Sequence, residues 1–377
     1  MGKNFYLCHT KLNICMQKTK WFWALMFVAM PLRLLAGSHE ITELYDTLDA
    51  LIARQSAIVI AKEDRLRELT SEYSQPGLSA DERFEKGMKL YDEYMAFRYD
   101  SAFKYVLKCL TEQKEIGNND RVAESRLKLA HILAVSGLFD KASQQMASID
   151  FNRLTRENQL SYYSQKSDYY LYQSEMAART VYYGEYMDSA IYFRSKMLGL
   201  APRDGFTYIT SKAVNVCEAG QPMEAVKMCE ELLSQVQDGT RDYAILTAIL
   251  SDFYKRAGNI AESERYLLLS AISDLRGAVR ENNSLRELAK LLMERGEMER
   301  AFRYLRVCIA DANFYGTRLR GQQVAQLMPT VVDNYLPADL QKEAQRELII
   351  KGLAAACLVL LLAVIVLSVL LYRRKRA

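Results

Sequence analysis

Histidine, tryptophan and proline are scarce in this chain of 377 residues, with three, two and six of each. Only His39 and His131 lie beyond residue 38, which argues against a histidine-based metal site. No Gly-x-Ser-x-Gly elbow, phosphate-binding glycine loop or His-Glu-x-x-His helix is present. Nothing therefore points to an enzyme or to a cofactor. Cys109, Cys217, Cys229 and Cys308 are widely spaced, with no Cys-x-x-Cys, which argues against a disulfide scaffold. Each falls on an apolar helical face, where a thiol acts as a small core residue. A Cys217–Cys229 bridge is the one pairing open to a single helix pair. Clustered basic charge is also missing from the body: residues 39–350 hold 40 Lys and Arg against 46 Asp and Glu. The formal +4 comes from the chain ends, and direct nucleic-acid binding is not expected.

Long apolar runs occur twice. Gly352–Tyr372 is 21 residues without a charge, enough for a helix to cross a bilayer core of about 30 Å. Arg373–Arg376 follow, and basic residues beside a span favour the cytoplasmic side. At the other end, Lys18 and Lys20 precede the apolar run 21–30, and Ala36-Gly37-Ser38 suits signal cleavage before His39. An uncleaved N-terminal anchor is the alternative, and a start at Met16 would give a signal of more usual proportions. Either way the body is expected outside the cytoplasm.

The body reads as helix throughout. Ile41, Leu44, Tyr45, Leu48, Leu51 and Ile52 form an apolar stripe at helical spacing. After a register slip it continues through Val59, Leu66, Leu69 and Tyr73, predicting one long N-terminal helix over 39–78. Ser79-Ala-Asp-Glu82 is a capping box that opens the next helix. From there to 316 a small residue recurs near the start of every second helix: Ala102, Ala142, Ala190, Ala225, Ser263 and Ala301. Four units share more. Leu288-Ala289, Leu292, Gly296, Ala301 and Leu305 recur at the same offsets around Ala130, Ala213 and Ser251. Small residues let two antiparallel helices cross closely, and the glycine ends the first helix of each pair. The unit around Ala190 carries an insertion through Thr180–Tyr186.

This spacing resembles tetratricopeptide repeats, without their tryptophan or closing proline. The fold class expected is all-α: a helix-pair solenoid over 79–316, a connector over 317–351, a transmembrane helix over 352–372 and a basic tail over 373–377. Together with Phe97–Tyr105, Ala271–Arg276, Ala310–Tyr315 and the terminal span, the chain resembles a family of membrane-anchored tetratricopeptide-repeat proteins of Bacteroidetes-type bacteria. The resemblance covers about residues 41–372. In that family the chain usually continues past the span into a regulatory, cytoplasmic end. It implies that this sequence corresponds to the sensing half of a regulator.

The site is sought on the concave side, which the first helix of each pair lines. Offsets from the small residues select His131, Asp252, Lys255, Arg256, Arg286 and Lys290. His131 could hydrogen-bond a ligand, and the basic group with Asp252 could hold an anion or a peptide carboxylate. Nine tyrosines fall between Tyr162 and Tyr192, with Tyr169, Tyr170 and Tyr183 as candidate contacts. They suit either peptide or glycan contacts or the packing of the insertion. The function expected is a periplasmic protein- or peptide-binding sensor module held in the inner membrane, in a signalling or transcription-regulatory system. The alternative is an envelope assembly scaffold or adaptor. A homo-oligomer is compatible with either.

Overall fold

A computed structural model describes residues 39–281, 283–329, 345–358, 360–361 and 374. Among the described residues there is helix and no strand. α1 covers residues 39–53 and α2 covers Gln55–Tyr73. Six antiparallel pairs follow. They are α3 (Ala80–Met95) with α4 (Tyr99–Ile116), α5 (Asn119–Val135) with α6 (Phe139–Ala147), and α7 (Arg156–Met176) with α8 (Tyr183–Leu198). They continue with α9 (Phe206–Glu218) and α10 (Pro222–Leu233), α11 (Arg241–Arg256) and α12 (Ile260–Arg276), and α13 (Asn283–Glu294) and α14 (Met298–Tyr315). A short α15 (Arg318–Ala325) ends the array.

Local chemistry sets the boundaries. The Ser79–Glu82 capping box forms as expected, and Asn118, Thr155, Thr240 and Asn259 cap their helices by accepting a backbone N–H. Gly137, Gly220, Gly258 and Gly296 all have φ between +79° and +88°, a conformation costly for a side chain, and each turns the chain between the two helices of a pair. The recurrent small residues lie at the helix crossings. Ala102, Ala142, Ala190, Ala225 and Ala301 are fully buried, and Ser263 nearly so. Where serine replaces alanine the hydroxyls are paired: Ser251 Oγ donates to the Ser263 carbonyl at 2.8 Å, and the two hydroxyls lie 3.0 Å apart. The four cysteines of the body are buried and free, which leaves Cys217 and Cys229 unbridged. Burial pushes the Cys109, Cys229 and Cys308 thiols up to about 12.

The N-terminal region departs from the single long helix expected. It breaks at Arg54, because its halves face opposite ends of the array. α1 buries Tyr45 and Leu48 against Leu268, Leu292 and Leu305 of the last pairs. Tyr45 Oη donates to Glu264, and Tyr304 Oη to Asp49 at 2.9 Å. α2 instead buries Leu69 and Tyr73 with Leu90 and Tyr105 of the first pair. The slip in the apolar stripe is this change of partner.

The array also closes on itself. Leu66, Phe97 and Ala278 form a small core, with Phe314 packed against it and its ring 5.1 Å from that of Phe97. Arg280 N–H donates to the Ala96 carbonyl at 2.7 Å, and Tyr315 Oη to the Met95 carbonyl at 2.6 Å. The α12–α13 and α14 ends thus return to the α3–α4 corner, and the superhelix encloses its concave side.

Among the described residues no helix is long and apolar enough to cross a membrane. The expected signal at 1–38 lies outside the described residues. So do residues 330–344 of the connector, residues 359 and 362–372 of the expected span, and all of the tail except Arg374.

The crossing argument gives a test. Ala301→Trp is expected to destabilise the protein by about 1–3 kcal/mol through overpacking of α13 on α14, read as a lower denaturant midpoint. An unchanged midpoint would show that the crossing is not tight.

Candidate ligand chamber on the concave side

The first helices of successive pairs wall a chamber of about 790 Å3, lined by Glu85 and Tyr91 of α3, Glu124, Lys128 and His131 of α5, and Ser164, Gln165 and Asp168 of α7, among others. A second space of about 660 Å3 shares Glu85, Glu124 and Lys128 with it. That space reaches Lys62 and Arg65 of α2, Arg241 of α11 and Ser273 and Asp274 of α12. The first space is therefore mainly polar, and the second, lined from both ends of the array, is more apolar.

Four of the lining cations are engaged by neighbouring carboxylates. Arg121 pairs with Asp81 at 2.5 Å and Glu85 at 3.5 Å, and its guanidinium sits over the Phe84 ring. Lys128 pairs with Asp92 at 2.6 Å, over the Tyr91 ring. Lys62 and Arg65 both bind Glu93. Several carboxylates lack such partners. Burial raises the Glu124 and Asp168 carboxyls above the usual range, although Lys128 opposes this for the first, and His131 and Arg194 for the second. Burial likewise pushes Asp274 up to about 7 against the field of Arg241. Asn158 spans the wall, donating to the Asp120 carbonyl at 3.2 Å and to its carboxylate at 3.3 Å.

At the closed end the charges are paired. Arg320 of α15 donates to Glu281, which follows α12, and lies 3.8 Å from Glu175 of α7. Burial would raise the Glu281 carboxyl, but Arg320, with Arg241 and His131, holds it below the usual range. Gln323 of α15 donates to Glu175 at 3.0 Å and accepts from Arg286.

The residues selected from sequence are divided among these features. His131 lines the chamber, with Nδ1 3.1 Å from Gln165 Oε1 and its ring edge-on to Tyr172. Asp252 pairs with Arg256 at 2.8 Å, and Lys255 is exposed beside them. Arg286 is buried under α15, bonded to Gln323, Asn283 and Glu287, and Lys290 pairs with Glu287 at 2.6 Å. Of the cations expected to form one anion site, Arg256 pairs with Asp252, while Arg286 and Lys290 pair with Glu287.

The tyrosines of α7 pack that helix against its neighbours. Tyr169 is buried between Phe139 and Tyr170, and Tyr170 stacks on Phe193 at 5.6 Å. Tyr183 is exposed at the start of α8. None of Tyr162–Tyr192 lines the chamber.

Asp168 and Gln165 were missed, and a signal for them exists. Ser167 Oγ donates to the Ala190 carbonyl at 3.0 Å, so Ser167 is the small residue of α7, as Ser251 is of α11. The step from the small residue of the first helix to that of the second is 12 at Ser251–Ser263 but 23 at Ser167–Ala190. The insertion hides the motif, and Asp168 is the counterpart of His131 and Asp252.

This architecture defines a tetratricopeptide-type helical-repeat domain whose distinctive surface is internal. The family model of the SusR N-terminal TPR domain matches residues 52–326, from the end of α1 through α15 and well over half of the chain. The chain belongs to that family, and it carries a module of sensor and regulator type. A search of curated proteins finds no match.

Asp274 yields a pH test. Its carboxyl is raised in the fold, so the folded state binds more protons than the unfolded chain between about pH 4 and 7, and stability falls as pH rises through that window. Asp274→Asn is expected to stabilise by roughly 1–4 kcal/mol at pH 8 and to have little effect near pH 3.5. Equal effects in thermal melts at both values would show that the carboxylate is solvated.

Proposed function

We propose that this chain is the ligand-binding module of an envelope regulator and that ligand enters the enclosed concave chamber. The carrying observation is the chamber itself: about 790 Å3 of polar space walled by α3, α5 and α7, with carboxylates that the neighbouring cations leave unpaired. Solenoids of this type present their concave side to partners, and a protein or peptide is the ligand class proposed on that ground. The reading places the body in the periplasm, held in the inner membrane by the apolar segment 352–372. α15 is the route out of the chamber, because Arg320 and Gln323 touch both α7 and the start of the last pair.

Full-length protein in detergent is expected to melt at higher temperature with a tryptic digest of envelope proteins, since a ligand of the folded state alone stabilises it. Ser164→Trp, which fills the chamber wall, should remove that shift while leaving the unliganded melt intact. No shift in the wild type would contradict the reading. For topology, a periplasm-dependent reporter should be active when fused after residue 345 and silent after Ala377, and the reverse pattern would overturn the compartment.

A further inference from the structure

The turn between α7 and α8 differs from those of four other pairs. Residues 136–138, 219–221, 257–259 and 295–297 each turn tightly about one glycine of positive φ. Residues 177–182 make a longer connection that contains no glycine. Thr180 organises it, its hydroxyl donating to the Ala177 carbonyl at 3.0 Å and accepting the Tyr182 N–H at 3.3 Å. The turn so held raises Val181, Tyr182 and Tyr183 into solvent, 90 %, 57 % and 45 % exposed, and Met176 at the end of α7 is 41 % exposed. Single exposed apolar side chains are ordinary, but adjacent ones mark a surface that meets a partner.

The chemistry of this tip fits a lipid interface. From Met176 to Gly184 the one charged residue is the exposed Arg179. Tyrosine joins an apolar ring to a polar hydroxyl, which suits the level of lipid headgroups, and a cation beside it can meet phosphate. The location fits as well. Glu175, at the foot of the tip, accepts from Gln323 at 3.0 Å and lies 3.8 Å from Arg320, so the tip stands beside α15. From α15 the chain runs on to the apolar segment 352–372. The stretch 330–351 spans roughly 33 Å if helical and no more than roughly 80 Å if extended. A tether of that length keeps the tip at high local concentration near a bilayer that holds the segment, so a few side chains suffice for contact.

We infer that the α7–α8 tip inserts into the interfacial layer of the bilayer, with Val181 among the upper acyl chains and Tyr182 and Tyr183 at headgroup depth. This rests on the proposed anchoring by segment 352–372 and adds a second contact, made by the body itself. Two contacts fix an orientation that one tether leaves free. They also bring the end of α7, whose Ser164, Gln165 and Asp168 wall the chamber, to the lipid surface.

The test uses full-length protein in phospholipid vesicles. Both tryptophans lie at 21 and 23, so a Trp21→Phe, Trp23→Phe background is dark and Val181→Trp reports the tip alone. Lipids brominated on the upper acyl carbons should quench its emission at least twofold relative to plain lipids. Adding Tyr182→Asp and Tyr183→Asp should remove the quenching. Ile60→Trp, at a site 58 % exposed on α2 and equally tethered, should not be quenched. Equal quenching at both sites would show that any tethered tryptophan reaches lipid, and would overturn the inference. Unquenched Val181→Trp in protein that floats with the vesicles would overturn it and leave the anchor standing. If that emission shifted with protein density, the tip would belong to a second copy instead, which also overturns it. Protein that does not float with the vesicles would overturn anchor and tip together.

Discussion

Ala278 holds the superhelix shut. It is the one non-glycine residue with positive φ among those described, at +54°, a conformation that costs an L-residue roughly 1–2 kcal/mol. The turn it makes carries Arg280 to the Ala96 carbonyl and brings the α12–α13 connection against Leu66, Phe97 and Phe314. An open solenoid would place the first and last pairs far apart, since each repeat touches only its neighbours. Here α1, α2, α14 and the 277–281 turn supply contacts between distant repeats. The strain at Ala278 is offset by a core that forms only in the closed state.

Closure changes the electrostatics of what it encloses. Arg280 sits beside Asp311, nearly buried, with Gln55 of α2 donating to the same carboxylate at 3.0 Å. Burial nonetheless keeps Asp311 raised to about 6, with Arg280 and Gln55 pulling it down. A buried ion pair of this kind adds little net stability, but losing one partner is costly. It fixes which surfaces meet more than how strongly they hold. The same holds for Arg320 and Glu281, which tie α15 to the closed end and link it through Glu175 to α7. Opening the ring would expose these pairs, relieve Glu124, Asp168 and Asp274 of their desolvation, and release α15.

Local and periodic signals made the helix pairs legible. The small residues at 102, 142, 190, 225, 263 and 301, the turn glycines and the Ser79 capping box all act within a pair or between neighbours, and each does what its spacing implies. The break at Arg54 was visible only as a slip in the apolar stripe, because its cause is a change of partner more than 200 residues away. Closure had no local signal: Ala278, Arg280 and Phe314 belong to no repeated position. His131 was found by its offset from Ala130, and Asp168 obeys the same rule from Ser167. The 23-residue step to Ala190 concealed it. Arg286 and Lys290 carry the spacing of groove cations, and sequence does not reveal that α15 and Glu287 engage them.

Hydrogen exchange at the Arg280 amide is the most direct test of this account. Its N–H is bonded to Ala96 across the closure and to nothing in its own turn. Closure predicts protection comparable to the buried amides of α12, lost together with the Tyr315–Met95 contact when Phe97 is replaced by Ala. Exchange of the Arg280 amide at the rate of an exposed loop, with α12 still protected, would mean that the array is open in solution and that the chamber does not exist as an enclosed space.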